Sequence, residues 1–116
     1  MEKIDSEIVC NITTDRFGVG DEELGGILMK AFLNTLWDYQ PRPAKLMFHN
    51  KGVFLTTEKS DVLDTLELLE KEGVEILSCG TCLAFYGITD KLKIGRKTNM
   101  PETVDILMKA CKVIKI

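Results

Sequence analysis

The sequence predicts an α/β protein, a three-layer α/β/α sandwich on a mostly parallel sheet of about five strands, and three observations carry that prediction. Short β-branched runs alternate along the chain with amphipathic helical stretches. The first run is apolar almost throughout, as a strand covered on both faces is. Caps, glycines and prolines fall where helices have to begin and end. At 116 residues and 45% hydrophobic, with no linker or repeat, the chain reads as one domain, 1–116. A chain of this size buries roughly 60–70% of its unfolded surface and needs no staple.

The elements follow in order. "EIVCNIT" (Glu7 to Thr13) is the first strand. The glycine loop "TDRFGVGDEELGG" leads to a helix capped by Asp21, with Glu22 and Glu23 in the first turn, where the helix dipole favours negative charge. Leu24, Ile27, Leu28, Ala31, Phe32 and Leu36 recur at spacings of three and four and predict its buried stripe. "QPRP" stops it. "AKLMFH" (Ala44 to His49) is the second strand, "NKG" a turn, and "VFLTTEK" a short extended piece or a loop. Ser60 caps a second helix carrying Val62, Leu63, Leu66 and Leu69, and Gly73 closes it in a left-handed conformation. "VEILS" (Val74 to Ser78) is the third strand and ends at Cys79. "TCLAFYG" makes one or two helical turns ending at Gly87, and "KLKIG" a short strand. "NMPETVDILMKAC" is a further helix with Pro101 in its first turn and Val104, Leu107 and Met108 on its inner stripe. "KVIKI" (Lys112 to Ile116) is the last strand.

Charge narrows the function classes. Fifteen Lys plus Arg against eighteen Asp plus Glu give a net charge of -3. That supplies no broad footprint for nucleic acid or an acidic membrane. No run approaches the ~20 apolar residues of a membrane span, and the N-terminus lacks a signal-peptide pattern, so a cytoplasmic protein is expected. There the four cysteines, Cys10, Cys79, Cys82 and Cys111, stay reduced.

Ligands of parallel α/β sheets bind outside the carboxyl ends of the strands, and "SCGTC" puts Cys79 and Cys82 on that edge. A thiol becomes nucleophilic when its thiolate is favoured, as backbone N–H groups at a helix start do. Gly80 lets the chain turn tightly and leaves the Cys79 sulfur uncovered, and Cys82 stands near enough to resolve a mixed disulfide or persulfide on it. The alternative is that two small, semi-apolar residues fill space under the strand end. Zinc needs two more ligands, and no second CxxC or HxxxH exists, so no metal or other cofactor is expected. Cys10 and Cys111 read as packing residues. His49, the only histidine, is a proton carrier at the sheet edge or simply a hydrogen-bonded strand-end residue. The loop holding Gly18 and Gly20 departs from G-x-G-x-x-G, and its three acids repel phosphate. Lys91, Lys93, Arg96 and Lys97 either raise the local potential near the thiols or form a solvated loop. Trp37 and Tyr39 are interface anchors or core-edge aromatics.

The segments "GVGDEELGGILMKAFL", "FHNKGVFLTT" and "SCGTCLAFYGITDKLKIGRKTNM" together resemble the DsrE/DsrF-like family, in the branch of the C-terminal domain of the selenium metabolism protein YedF. The resemblance implies a cytoplasmic α/β/α fold and membership of sulfur-relay-like proteins that assemble as oligomers. It implies that Cys79, with Gly87 in the matching place, accepts sulfur as a persulfide. Cys82 is an addition typical of the branch. A TusA-like carrier domain precedes such domains; here a separate carrier or sulfur-donor protein is the expected partner, alongside a homo-oligomer. The expected function is that of a sulfurtransferase-like carrier of sulfane sulfur or selenium. Gly80 and Thr81 supply backbone N–H groups, and Gly18, Gly20, Asn50 and Asn99 line the crevice. Its rivals are a non-catalytic binding or redox-switch module and a dithiol oxidoreductase.

Overall fold

The computed structural model describes residues 4–116. Five strands form one sheet in the order β4-β3-β2-β1-β5, and every pairing is parallel. They are β1 (Ile4–Ile12), β2 (Arg42–Phe48), β3 (Glu75–Cys79), β4 (Arg96–Thr98) and β5 (Lys112–Lys115). The helices are α1 (Glu22–Asp38), α2 (Leu63–Lys71), α3 (Gly80–Phe85) and α4 (Met100–Lys109). Two 3-10 helices, Asn50–Thr56 and Thr89–Lys91, connect them. No helix among the described residues is long and apolar enough to cross a membrane.

Strand alternation sorts the core into two layers. Cys10, Ile12, Leu46, Phe48 and Ile76 meet Met29 and Leu33 of α1, Leu66 and Leu69 of α2 and Leu83 of α3. Val9, Met47 and Leu77 face the other way, onto Ile106 and Leu107 of α4 and Ala110 at its C-cap. The predicted sandwich is therefore the observed one, with a thick layer of three helices and a thin layer of one.

Both long helices are rotated from their predicted stripes. In α1 the buried residues are Gly25, Met29 and Leu33, flanked by Phe32 and Leu36, while Leu24 and Ile27 are 52% and 60% exposed and Leu28 and Ala31 also face outward. The cause is a close approach of backbones. The Phe17 N–H donates to the Gly25 carbonyl at 2.9 Å, and a Cβ on Gly25 would lie 2.8 Å from the Arg16 side chain. The glycine has to face inward, and the rest of the helix turns with it. In α4 Thr103, Ile106, Leu107 and Ala110 face the sheet, whereas Val104 and Met108 are exposed. Both helices are apolar on more than one side, so periodicity alone left their rotation open.

Smaller corrections concern boundaries. Asp21 caps α1 as predicted, its carboxylate accepting the Leu24 N–H at 2.9 Å. Ser60 caps only a turn, accepting from the Val62 N–H, and α2 begins at Leu63. "VFLTTEK" lies mostly in the first 3-10 helix. The fourth strand forms at Arg96–Thr98 and not in "KLKIG". Gly95, at φ 74°, makes the turn that places it, and a Cβ there would collide with the Ile76 carbonyl.

Candidate functional site

β3 delivers Cys79 to the carboxyl edge as its last residue, and Cys79 is also the N-cap of α3. Its Sγ accepts the Cys82 N–H at 3.4 Å. The turn into α3 is tight because a Cβ on Gly80 would stand 3.1 Å from the Thr98 carbonyl. That closeness corrects one expectation: the glycine does not leave the sulfur uncovered, and Cys79 is only 6% exposed. Strand β4 and the folded-back helix cover it.

Cys82 is the more accessible thiol. Its Sγ accepts the Asn50 N–H at 3.1 Å. Asn50 can offer that N–H because it holds a left-handed conformation, φ 53°, which asparagine tolerates better than most residues. Its Oδ1 accepts the Tyr86 hydroxyl at 2.9 Å, and the Tyr86 ring packs 4.8 Å from Phe54. Asn50, Thr81, Cys82, Phe85 and Tyr86 line a shallow cleft of about 250 Å³. Burial and the neighbouring Cys79 thiol push the Cys82 thiol up, against the opposing pull of the Asn50 N–H.

Of the predicted site residues, the cleft gathers Asn50, Thr81 and Cys82, with Gly80 and Cys79 directly behind. It does not gather the rest. Gly18 and Gly20, with φ of 85° and 155°, sit in the loop before α1 with open space around them. Asn99 caps α4 through the Glu102 N–H at 2.9 Å. Cys10 is fully buried, which pushes its thiol up to about 11, as a packing residue's would be. Cys111 is exposed, contrary to expectation, because α4 ends two residues before it. Nearby Glu7 raises its thiol.

Two of the four residues of the basic segment are matched by acids. Lys91 meets Glu58 at 3.3 Å, and Arg96 reaches both Glu75 and Glu102. Of the aromatic pair, Trp37 lies under the Arg42 guanidinium, 4.7 Å from its centre, and Tyr39 is exposed. Among the described residues no three His, Cys, Asp or Glu side chains cluster as a metal site.

His49 follows β2 directly. Its Nδ1 lies 2.8 Å from Asn11 Oδ1, its Nε2 is buried without a hydrogen-bond partner among the described residues, and burial lowers its pKa. Sequence reasoning passed over Asn11, Phe54 and Tyr86. The one available signal was a lone amide inside the apolar run from Ile8 to Ile12.

The DsrE/DsrF-like family model matches residues 41–116. The chain belongs to the DsrE/DsrF-like family. The YchN protein from E. coli has the same fold, with a TM-score of 0.73 at 18% identity, the alignment covering 97% of this chain and 100% of that one. A protein of unknown function, MTH1491 from Methanobacterium thermoautotrophicum, aligns with a TM-score of 0.70 at 19% identity, over 97% of this chain and 100% of its own. No curated protein matches. The family match covers the carboxyl edge with both thiols, and it leaves out β1 with Asn11 and the whole of α1.

Proposed function

We propose that this DsrE/DsrF-like protein is a sulfurtransferase-like carrier of sulfane sulfur, or of selenium in the same oxidation state, with Cys79 as the acceptor. The supporting observation is the paired donation at the edge: Cys79 Sγ receives the Cys82 N–H, and Cys82 Sγ receives the Asn50 N–H. Hydrogen bonds from backbone amides favour the anionic form of sulfur and so suit both a thiolate and a persulfide anion. Uptake from a donor persulfide R–S–SH converts Cys79–SH to Cys79–S–SH and releases R–SH. Passage to an acceptor thiol reverses that exchange, and attack by Cys82 on the persulfide gives the Cys79–Cys82 disulfide and releases hydrosulfide. A TusA-like carrier protein would present such a donor thiol, and the exposed apolar residues Leu24 and Ile27 of α1 suit contact with a second copy of the chain.

The low exposure of Cys79 favours a second reading, a binding or redox-switch module whose thiols are structural. Intact mass with peptide mapping separates the two, after incubation of the reduced protein with a cysteine desulfurase and cysteine. The carrier reading expects one added sulfur on Cys79, absent in Cys79→Ser and retained in Cys82→Ser. No added sulfur, with both thiols slow toward alkylation in the folded protein, would sink it in favour of the module.

A further inference from the structure

Val9, Met47 and Leu77 lie on the α4 face of three neighbouring strands, Met47 level with Leu77 and Val9 two residues earlier. Two residues further along β1 and β2, on the same side by the alternation of side chains, come Asn11 and His49, Asn11 level with Met47; Cys79, which ends β3 and caps α3, packs with the thick-layer core. Phe48 pairs with Ile12 on one side and Ser78 on the other, so His49, one residue on, falls beside Cys79. The His49 N–H continues the ladder by donating to the Ile12 carbonyl at 3.0 Å.

The hydrogen bonds define the state of the imidazole. Asn11 Oδ1 can only accept, so the proton of neutral His49 is on Nδ1 and the Nε2 lone pair is free. That atom is buried and has no partner among the described residues, which is rare for a buried polar group unless the group has work to do. An amide that fixes one ring nitrogen and frees the other is how a nucleophile's base is oriented. In the resting structure no hydrogen bond joins His49 to Cys79, whose sulfur is engaged at the α3 cap; contacts of this kind commonly tighten only when substrate binds.

We propose that His49, oriented by Asn11, is the proton acceptor for the Cys79 thiol during sulfur uptake. This rests on the carrier reading above. Nε2 takes the proton of Cys79–SH, the thiolate attacks the outer sulfur of the donor R–S–SH, the S–S bond breaks, and the departing R–S⁻ recovers the proton from the imidazolium. Atoms and charge balance with no oxidant or reductant. Burial is the cause of the lowered His49 pKa, which keeps the ring neutral at neutral pH. The titratable groups on the elements meeting there include the thiols of Cys79 and Cys82, the ammonium groups of Lys51, of Lys97 on β4 and of Lys115, opposite Asn11 in register, the Tyr86 phenol, and the carboxyl groups of Glu102 and Asp105 on α4. Asp15 and Arg16, in the loop after β1, pair with each other.

The test follows alkylation of Cys79 by iodoacetamide against pH, by peptide mapping, in the Cys82→Ser/Cys111→Ser protein, together with sulfur uptake from glutathione persulfide. His49→Gln is expected to slow alkylation about 100-fold near neutral pH, the scale of general-base assistance. The gap should close as pH rises through the ordinary thiol range, where no base is needed. Asn11→Asp puts a carboxylate on Nδ1 and should move the acid limb of the profile upward by about one unit, a shift that a purely structural histidine would not produce. It also decides the matter if His49→Gln does not fold. Unchanged profiles in the folded variants would overturn the assignment, even if the parent protein takes up sulfur. Profiles that respond to both variants while the parent takes up none uphold His49 as the base and overturn the carrier reading instead.

Discussion

The two ends of this parallel sheet are held by different forces. At the amino end Lys45 meets Glu75 at 2.9 Å, and Arg96 links Glu75 to Glu102, so the charged groups there are matched and face water. At the carboxyl end the work is done by packing and backbone approach. A Cβ on Gly52 would run into the Ile12 carbonyl, the Thr56 and Ser78 hydroxyls share a buried 2.8 Å bond, and Phe48 is fully enclosed. Within that tight frame are the features that packing does not explain: left-handed Asn50, the free Nε2 of His49 and the half-buried Cys82. A rigid surround is what lets costly local geometry persist, and such geometry gathers at functional edges.

The comparison breaks if the carboxyl end tolerates loss of packing. Phe48→Ala, in the centre of the thick layer, should lower unfolding free energy by about 3–5 kcal/mol, read by urea denaturation, with Phe85→Ala, at a largely exposed ring, as the control. The next largest effect sharpens it. Gly52→Ala has to push the 3-10 helix off β1 and should cost about 1–3 kcal/mol. Because Ile12 O also accepts the His49 N–H, this substitution should broaden the imidazole signals in NMR. A Gly52→Ala protein with parental stability and an unchanged His49 spectrum would show that the edge is not clamped.

Much of this contrast was legible before the fold was known. Alternating strands and helices gave the α/β class, and a cysteine after a strand followed by a glycine gave the edge, because both rest on local chain geometry. The rotation of α1 and α4 was not legible, since each helix has apolar residues on more than one side and the choice is made by contacts distant in sequence, such as Gly25 against Arg16. The site partners were hidden for the same reason. Asn11 and His49 lie 38 positions apart, and Asn50 and Cys82 lie 32 apart; only strand register brings them together. The exposure of Cys79 was misread because the covering strand β4 arrives later in the chain.

The smallest predicted effect tests the amino end through acid. Hydrogen bonding from Lys45, with help from Arg96, lowers the Glu75 pKa below its ordinary carboxylate value. A carboxyl group whose folded pKa is depressed adds stability that is complete above its unfolded pKa and disappears as pH falls through the folded one. Glu75 is 39% exposed, so solvent screens the pairs and the contribution at neutral pH should stay below about 1 kcal/mol. Glu75→Gln should therefore cost less than that at pH 7, and the cost should shrink with added salt and fall away as pH drops below ~4, the unfolded carboxyl's range, and on through the lower folded pKa. The Cys79 alkylation profile should not move, because Glu75 opens β3 and Cys79 closes it. A change in that profile would mean that charge at the amino end reaches the thiol, and the two ends would then have to be treated as one electrostatic unit.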